Sequence, residues 1–263
     1  MGIYTDQLGR RVEITSTEKI VSVVPSQTEL LYDLGLDKEV AAITKFCIHP
    51  DSWHRTKKRI GGTKQLHSEE IRLLRPDLII ANKEENAREQ IEELAEYFPV
   101  WVSDINGLDS ALQMIQSVGE IVSREDAAKT IIQQIKKGFS NLEQPDNRSS
   151  VCYLIWKDPY MAAGGGTFIN EMLYHAGYRN AFEGLSRYPK VTAEEIKAVA
   201  PDIIFLSSEP YPFKEKHKQE LAAIIPSAKI ILADGEYFSW YGSRLAKAPA
   251  YFKQLRIKAL SVL

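Results

Sequence analysis

The chain has 263 residues, 44% of them hydrophobic and 26% charged, and a formal net charge of −2. That length allows one large domain or two modest lobes, each able to bury a core. The balanced charge, with no basic or acidic tail and no low-complexity tract, argues against nucleic acid or an anionic membrane as a general partner.

Asp6, Arg10, Arg11 and Glu13 interrupt the first 20 residues, so they hold no apolar signal-peptide core. The chain reads as cytosolic, or as the mature form of an exported protein; both stay open. The run Lys19 to Val24 is strand-sized, far too short to span a bilayer, and ends at Pro25. Ser26-Gln27-Thr28-Glu29 then offers helix-capping chemistry before Leu30, Leu31 and Leu34, and Gly35 ends that helix. Ser26 follows a strand at a turn, as a nucleophile does, yet lacks a Gly-x-Ser-x-Gly elbow, and no motif assembles a triad. No catalytic residue is assigned and the chain is read as non-enzymatic.

The segment from Lys45 to Gly62 concentrates Cys47, His49, Trp53 and His54 in a chain with only five His and four Trp. Cys47, His49 and His54 offer soft and imidazole groups within eight residues, which makes Cys47 and His49 weak metal candidates. Their spacing fits no zinc pattern, and a plain turn with a semi-exposed His is the alternative. Glu69-Glu70-Ile71 then opens a helix that stops at Arg75-Pro76-Asp77, followed by the buried strand Leu78-Ile79-Ile80.

From Leu108 to Leu142 the pattern is helical, broken at residues 123 to 126. A helix from about Arg124 to Leu142 would be roughly 28 Å long at 1.5 Å per residue. A packed helix resists bending where a Gly/Ser linker would not, so limited motion between lobes is expected. The second half repeats the plan of the first. Ser150 to Trp156 reads as a strand, residues 164 to 166 as a glycine turn, Phe168 to Ala176 as a helix, and Gly177 as its stop. The glycine run has no GxGxxG fingerprint and no Walker lysine, so a tight turn is favoured over a phosphate cradle. Cys152 lies in an apolar run, in the other half from Cys47, and no disulfide is expected.

Glu194-Glu195-Ile196 … Ala200-Pro201-Asp202-Ile203-Ile204-Phe205 restates the earlier helix and strand 125 residues later. Between the matched motifs the first half spends 40 residues and the second 23; the excess falls at the Cys47–His54 segment. Alternating strands and helices in both halves predict parallel sheets wrapped by helices. The domain bounds drawn from this pattern are 1–107, a helical linker over 108–144, and 145–263. A first-turn carboxylate stabilises a helix by about 0.3–1 kcal/mol, which accounts for either Glu pair alone. Its presence in both halves also suits a two-fold partner with two basic sockets. Three aromatic stretches follow second-half strands: Trp156 to Tyr160, Tyr211 to Phe213, and Phe238-Ser239-Trp240-Tyr241 with Arg244. Rings in such loops suit a large, flat ligand with polar edges, or pack in the core and at the rim.

Thr5-Asp6-Gln7-Leu8-Gly9-Arg10-Arg11-Val12, the Lys19 strand start, the Pro25-Ser26 turn, and the Pro-Asp motifs at Arg75 and Ala200 resemble the iron-chelate and cobalamin substrate-binding proteins of ABC importers. The likeness is greatest to the cobalamin-binding branch of the helical-backbone metal receptors, and it covers nearly the whole chain. It implies an α/β fold of two Rossmann-like lobes joined by a single long rigid helix, with no intrinsic cofactor. It implies a metal-containing ligand, a corrinoid or an iron chelate such as haem, held by Pro25, Ser26, Gln27, Cys47, His49, Trp53, Lys64, Trp156, Tyr160, Tyr211, Phe213, Phe238, Trp240, Tyr241 and Arg244. Glu69 and Glu194 would dock into a dimeric ABC permease. A monomer without membrane insertion, at the periplasm or cell surface, follows from the same resemblance. Lys64 stands where cobalamin binders tend to have Trp, and His49 where they present Tyr, which keeps a haem or ferric-chelate ligand open. A cytosolic metal- or tetrapyrrole-handling protein is the reading from a different class.

Overall fold

The computed structural model describes residues 2–260. They divide into two compact units, each with its own mainly parallel sheet. Among them, unit 1 comprises residues 2–105, 109–134 and 241–244, and unit 2 residues 106–108, 135–240 and 245–260.

Unit 1 begins with an antiparallel hairpin, β1 (Gly2–Thr5) and β2 (Arg11–Ile14). Asp6 closes it, accepting from the backbone N–H of Leu8 and Arg10 and pairing with the Arg10 guanidinium at 2.7 Å. The chain then alternates through β3 (Ile20–Ser22), α1 (Pro25–Asp33), β4 (Val40–Ile43), α2 (Asp51–Thr56), β5 (Lys58–Arg59), the small hairpin β6 (Gly61–Gly62) and β7 (Gln65–Leu66), α3 (Ser68–Leu74), β8 (Leu78–Asn82), α4 (Arg88–Ala95) and β9 (Val100–Ser103). The main sheet runs β5-β4-β3-β8-β9, with every pairing parallel. Strands buried on both faces need continuous apolar runs, and β8 is buried at all five positions.

Two helices, α5 (Leu108–Ile121) and α6 (Glu125–Ser140), follow, separated at the break read from sequence, where Ser123 takes φ 54°. Unit 2 continues with β10 (Ser150–Trp156), β11 (Met161–Ala162), α7 (Phe168–His175), β12 (Arg179–Asn180), α8 (Ala193–Val199), β13 (Ile203–Ser207), α9 (Glu215–Ile224), β14 (Lys229–Ala233), α10 (Glu236–Ser239), a 3₁₀ turn at Ser243–Ala246 that starts in unit 1, and α11 (Ala248–Leu260). Its sheet runs β11-β10-β13-β14, with β12 also on β10; only β11 is antiparallel. Among the described residues no helix is long and apolar enough to cross a membrane.

The internal repeat survives in detail. The helices α3 and α8 both end on a left-handed residue before proline, Arg75 at φ 47° and Ala200 at φ 44°. Proline disfavours the right-handed helical region in the residue before it, which stops both helices at the same point. Gly35 and Gly177, at φ 81° and 85°, follow α1 and α7 in the same way.

The glycine turn is structural. A Cβ on Gly164 would lie 2.2 Å from the Leu185 carbonyl oxygen, and one on Gly165 2.2 Å from that of Glu183. Their N–H groups already donate to Arg187 and Leu185, so neither is left for a phosphate.

Candidate functional site

In unit 1, β3 lies between β4 and β8, and the connections diverge from its carboxyl end. Such a switch point is where open α/β sheets place ligands. The chain leaving β3 enters α1 directly, with Pro25 in its first turn, where the missing N–H costs nothing. Ser26 and Gln27 are buried, and Gln27 donates its amide to Ser103 Oγ at 2.6 Å. Neither Ser26 Oγ nor Gln27 Oε1 has a hydrogen-bond partner. A buried polar atom left unmet costs about 1–3 kcal/mol, a cost this turn carries at two atoms.

The neighbouring residues are committed to the protein. Cys47 lies four residues past β4 and is fully buried, and its sulfur accepts from Thr28 at 3.1 Å and lies 3.1 Å from the Thr44 hydroxyl. Burial pushes its thiol up to about 11. His54 Nδ1 lies 3.2 Å from the Cys47 carbonyl oxygen. Among the described residues no group of three or more His, Cys, Asp or Glu side chains could hold a metal ion. Burial of the Cys47 thiol and its contacts with Thr28 and Thr44 count against a protein-only metal site at Cys47 and His49. Trp53, expected at the ligand, is 1% exposed; its indole donates to Asp37 at 2.6 Å and Tyr32 packs edge-on at 5.3 Å. His49 is half-buried, and exposed Lys64 donates to the carbonyls of Glu84 and Asn86.

Residues 241–244, read from sequence as a second-half loop, belong to unit 1. The Arg244 guanidinium makes two 2.8 Å bonds to the Glu29 carboxylate, and both side chains are 8% exposed. Tyr241 donates to Glu85 at 2.8 Å. A Cβ at Gly242 would stand 2.4 Å from the Ser26 carbonyl oxygen, so glycine lets this strap lie directly on α1. Sequence reasoning missed Glu29, which reads there only as part of a helix start.

In unit 2 the loops after β10 and β13 carry an aromatic ledge. Trp156 is 40% exposed, with its ring 5.6 Å from Tyr211, which lies 4.8 Å from Phe213. His217 Nδ1 accepts from the Lys214 N–H at 2.9 Å, so its proton sits on Nε2, 3.3 Å from the Tyr211 hydroxyl. That holds the Tyr211 ring in place. Half-buried Tyr160 packs beside it, and burial raises its phenol above the usual range. Phe213 is 6% exposed and Phe238 fully buried, the latter against Tyr153 at 5.1 Å and Phe252 at 5.0 Å. Phe238 is therefore core, a correction to its ligand-facing reading. Trp240 is buried and donates its indole N–H to Glu209 at 2.8 Å. Glu209 is a second residue that sequence reasoning left out. It also accepts from Ser239, and burial is the chief cause that raises its carboxyl above the usual range.

The two glutamate pairs divide their labour alike. In α8, Thr192 and Glu195 form a reciprocal capping box at 3.1 and 2.7 Å, while Glu194 is exposed with no ion pair among the described residues. In α3, Glu70 bonds His67 at 2.8 Å and pairs with Lys58 at 3.1 Å. Glu69 is the more open of the two: it accepts from the Arg72 guanidinium at 3.1 Å, yet its side chain is 83% exposed. The second glutamate of each pair serves the fold and the first projects outward.

Residues 20–227 match the family described as periplasmic binding protein. A vitamin B12-binding protein of Photorhabdus laumondii is 25% identical over 242 residues, which cover 88% of this chain and 84% of that protein. Among solved structures, a periplasmic heme-binding protein from Roseiflexus sp. RS-1 in apo form matches with a TM-score of 0.76 at 20% identity, covering 93% of this chain and 98% of that one. The periplasmic vitamin B12-binding protein of Vibrio cholerae matches with a TM-score of 0.75, at the same identity and coverage.

Proposed function

This chain belongs to the periplasmic binding protein family, and on that premise we propose that it captures a corrinoid and delivers it to the permease of an ABC importer. It is a binding protein for small-molecule transport and not an enzyme. The observation that carries the delivery step is the shared layout of α3 and α8. Each spends one first-turn glutamate on the fold and projects the other, Glu69 or Glu194. Two exposed carboxylates at equivalent places suit a two-fold permease with two basic sockets. Within unit 2 the Trp156–Tyr211 ledge offers an aromatic surface that suits the face of a corrinoid. A location at the periplasm or cell surface goes with this reading.

Haem or a ferric chelate is the second reading, favoured by His49 in the first-half insertion and by a heme-binding structural neighbour. Parallel titrations with cyanocobalamin and hemin, followed by tryptophan quenching, separate the two. Saturation by cyanocobalamin at micromolar concentration supports the corrinoid, and saturation by hemin alone replaces it. For delivery, Glu69→Ala with Glu194→Ala is expected to weaken association with reconstituted permease and leave ligand affinity unchanged. Full association by the double variant would remove the docking assignment.

A further inference from the structure

Unit 1 holds a concavity of about 580 Å³, inside the range of small-molecule sites, lined by Lys45, Arg59, Gly61, Gly62, Lys64 and His67 among others. Its charge is one-sided. Among the described residues Lys45, Arg59 and Lys64 make no ion pair; Arg59 reaches only the His54 carbonyl, and Lys64 only those of Glu84 and Asn86. Glu70, the nearest carboxylate on α3, is spent on Lys58 and His67.

The floor is built to stay open and still. Gly61 has φ 93°, and a Cβ there would lie 2.3 Å from the Gln65 carbonyl oxygen. A Cβ on Gly62 would press on Phe46 at 3.0 Å and on the Lys45 stem at 3.3 Å. Gln90 clamps the β6–β7 hairpin by accepting from Leu66 N–H and donating to Leu66 O, both at 2.9 Å. Asn86 donates to Thr63 O at 3.1 Å from below. The hairpin is thus held by Gln90 and Asn86, and the ammonium and guanidinium groups around it keep donors unspent.

We propose that this pocket is an oxyanion site for a small polyanion, a molecule with two or more carboxylate or phosphate groups. One phosphate or carboxylate would leave most of the volume empty and at least one cation uncompensated. A tricarboxylate or a diphosphate answers both. The site is argued from the geometry of unit 1 alone and does not require the corrinoid reading, although Lys64 is also among the residues that the resemblance places at the ligand.

Calorimetric titration of the full chain with citrate, and separately with pyrophosphate, tests this. One equivalent is expected to bind. Affinity should fall at least fivefold in Lys64→Gln and tenfold or more in Arg59→Gln with Lys64→Gln, and it should weaken as NaCl rises from 50 to 500 mM because screening shortens the reach of each charge. Lys253→Gln, an exposed lysine of unit 2, should bind as the parent does. The replaced side chains are exposed, so thermal melts of the variants should match the parent and exclude misfolding. Absence of saturable heat at 10 mM of either anion, or equal binding by the double variant, overturns the site. Repeating the citrate titration with hemin or cyanocobalamin present identifies the source of the anion. Displacement by hemin alone means that carboxylates of the cargo occupy the site, and undisturbed binding means a free polyanion does, both of which uphold it; displacement by cyanocobalamin, which has no free carboxylate, would overturn it.

Discussion

Replacing Arg244 by Met removes one side of the Glu29–Arg244 pair, whose two 2.8 Å bonds join residues 215 positions apart. At that distance, with an effective dielectric of about 20, the attraction is roughly 6 kcal/mol. Desolvating two ions offsets most of it, so the pair as a whole adds little over a well-packed apolar pair. Breaking one side is different. Glu29 would stay buried without its partner, at a cost of about 3–5 kcal/mol. Urea denaturation followed by far-UV circular dichroism should show that loss as a lower midpoint at unchanged slope. In a melt it amounts to roughly 6–20 °C, at about 2–4 °C per kcal/mol for chains near this size. Glu29→Met combined with Arg244→Met should recover at least about 2 kcal/mol of the summed single losses, because neighbouring sites couple. Single and double losses that simply add would refute the pairing. An Arg244→Met chain of full stability that lost only ligand affinity would put the guanidinium on the ligand instead.

Three further outcomes follow from the geometry. Cys47 and Cys152 are both buried, with thiol pKa values raised by burial, so neither should react with a disulfide reagent at pH 8 until urea unfolds the chain; rapid reaction of the folded protein would contradict their placement. Burial is the chief cause that lowers the His217 pKa, so its neutral form is favoured in the fold; that contribution is complete above the unfolded value near 6.5 and is lost as pH falls through the folded value. The urea midpoint should therefore drop between pH 7.5 and pH 5 by more in the parent than in His217→Gln, and equal drops would refute the linkage. Thr192→Ala should cost about 1 kcal/mol by removing the α8 cap, while Glu194→Ala should cost under about 0.5 kcal/mol in the same melts. A large loss from Glu194→Ala would make that glutamate structural.

The helices and strands were legible because their causes lie within a few residues. Pro25 followed by Leu30, Leu31 and Leu34, the Pro-Asp stops, and the glycines after α1 and α7 each act on near neighbours, and each appears where the pattern put it. The doubled glutamates were legible as a pair, but only the folded chain separated Glu195, which closes a capping box, from Glu194, which does not. For the aromatic residues, sequence left ligand-facing and core roles open, and the fold divided them. Exposed Trp156 and half-buried Tyr211 form a ledge, whereas Trp53 and Phe238 are core, because burial depends on what packs from elsewhere in the chain.

By itself, then, the order of residues determined two α/β halves with parallel sheets, a helical stretch between them, and a first half enlarged around Cys47 and His49. Tertiary structure decided that residues 241–244 belong to unit 1, that Arg244 answers Glu29, and that Lys45, Arg59 and Lys64 ring one pocket. Local periodicity and capping are settled within about four residues, while the partner of a buried charge is settled by which distant segment reaches it first with the right shape and the opposite sign.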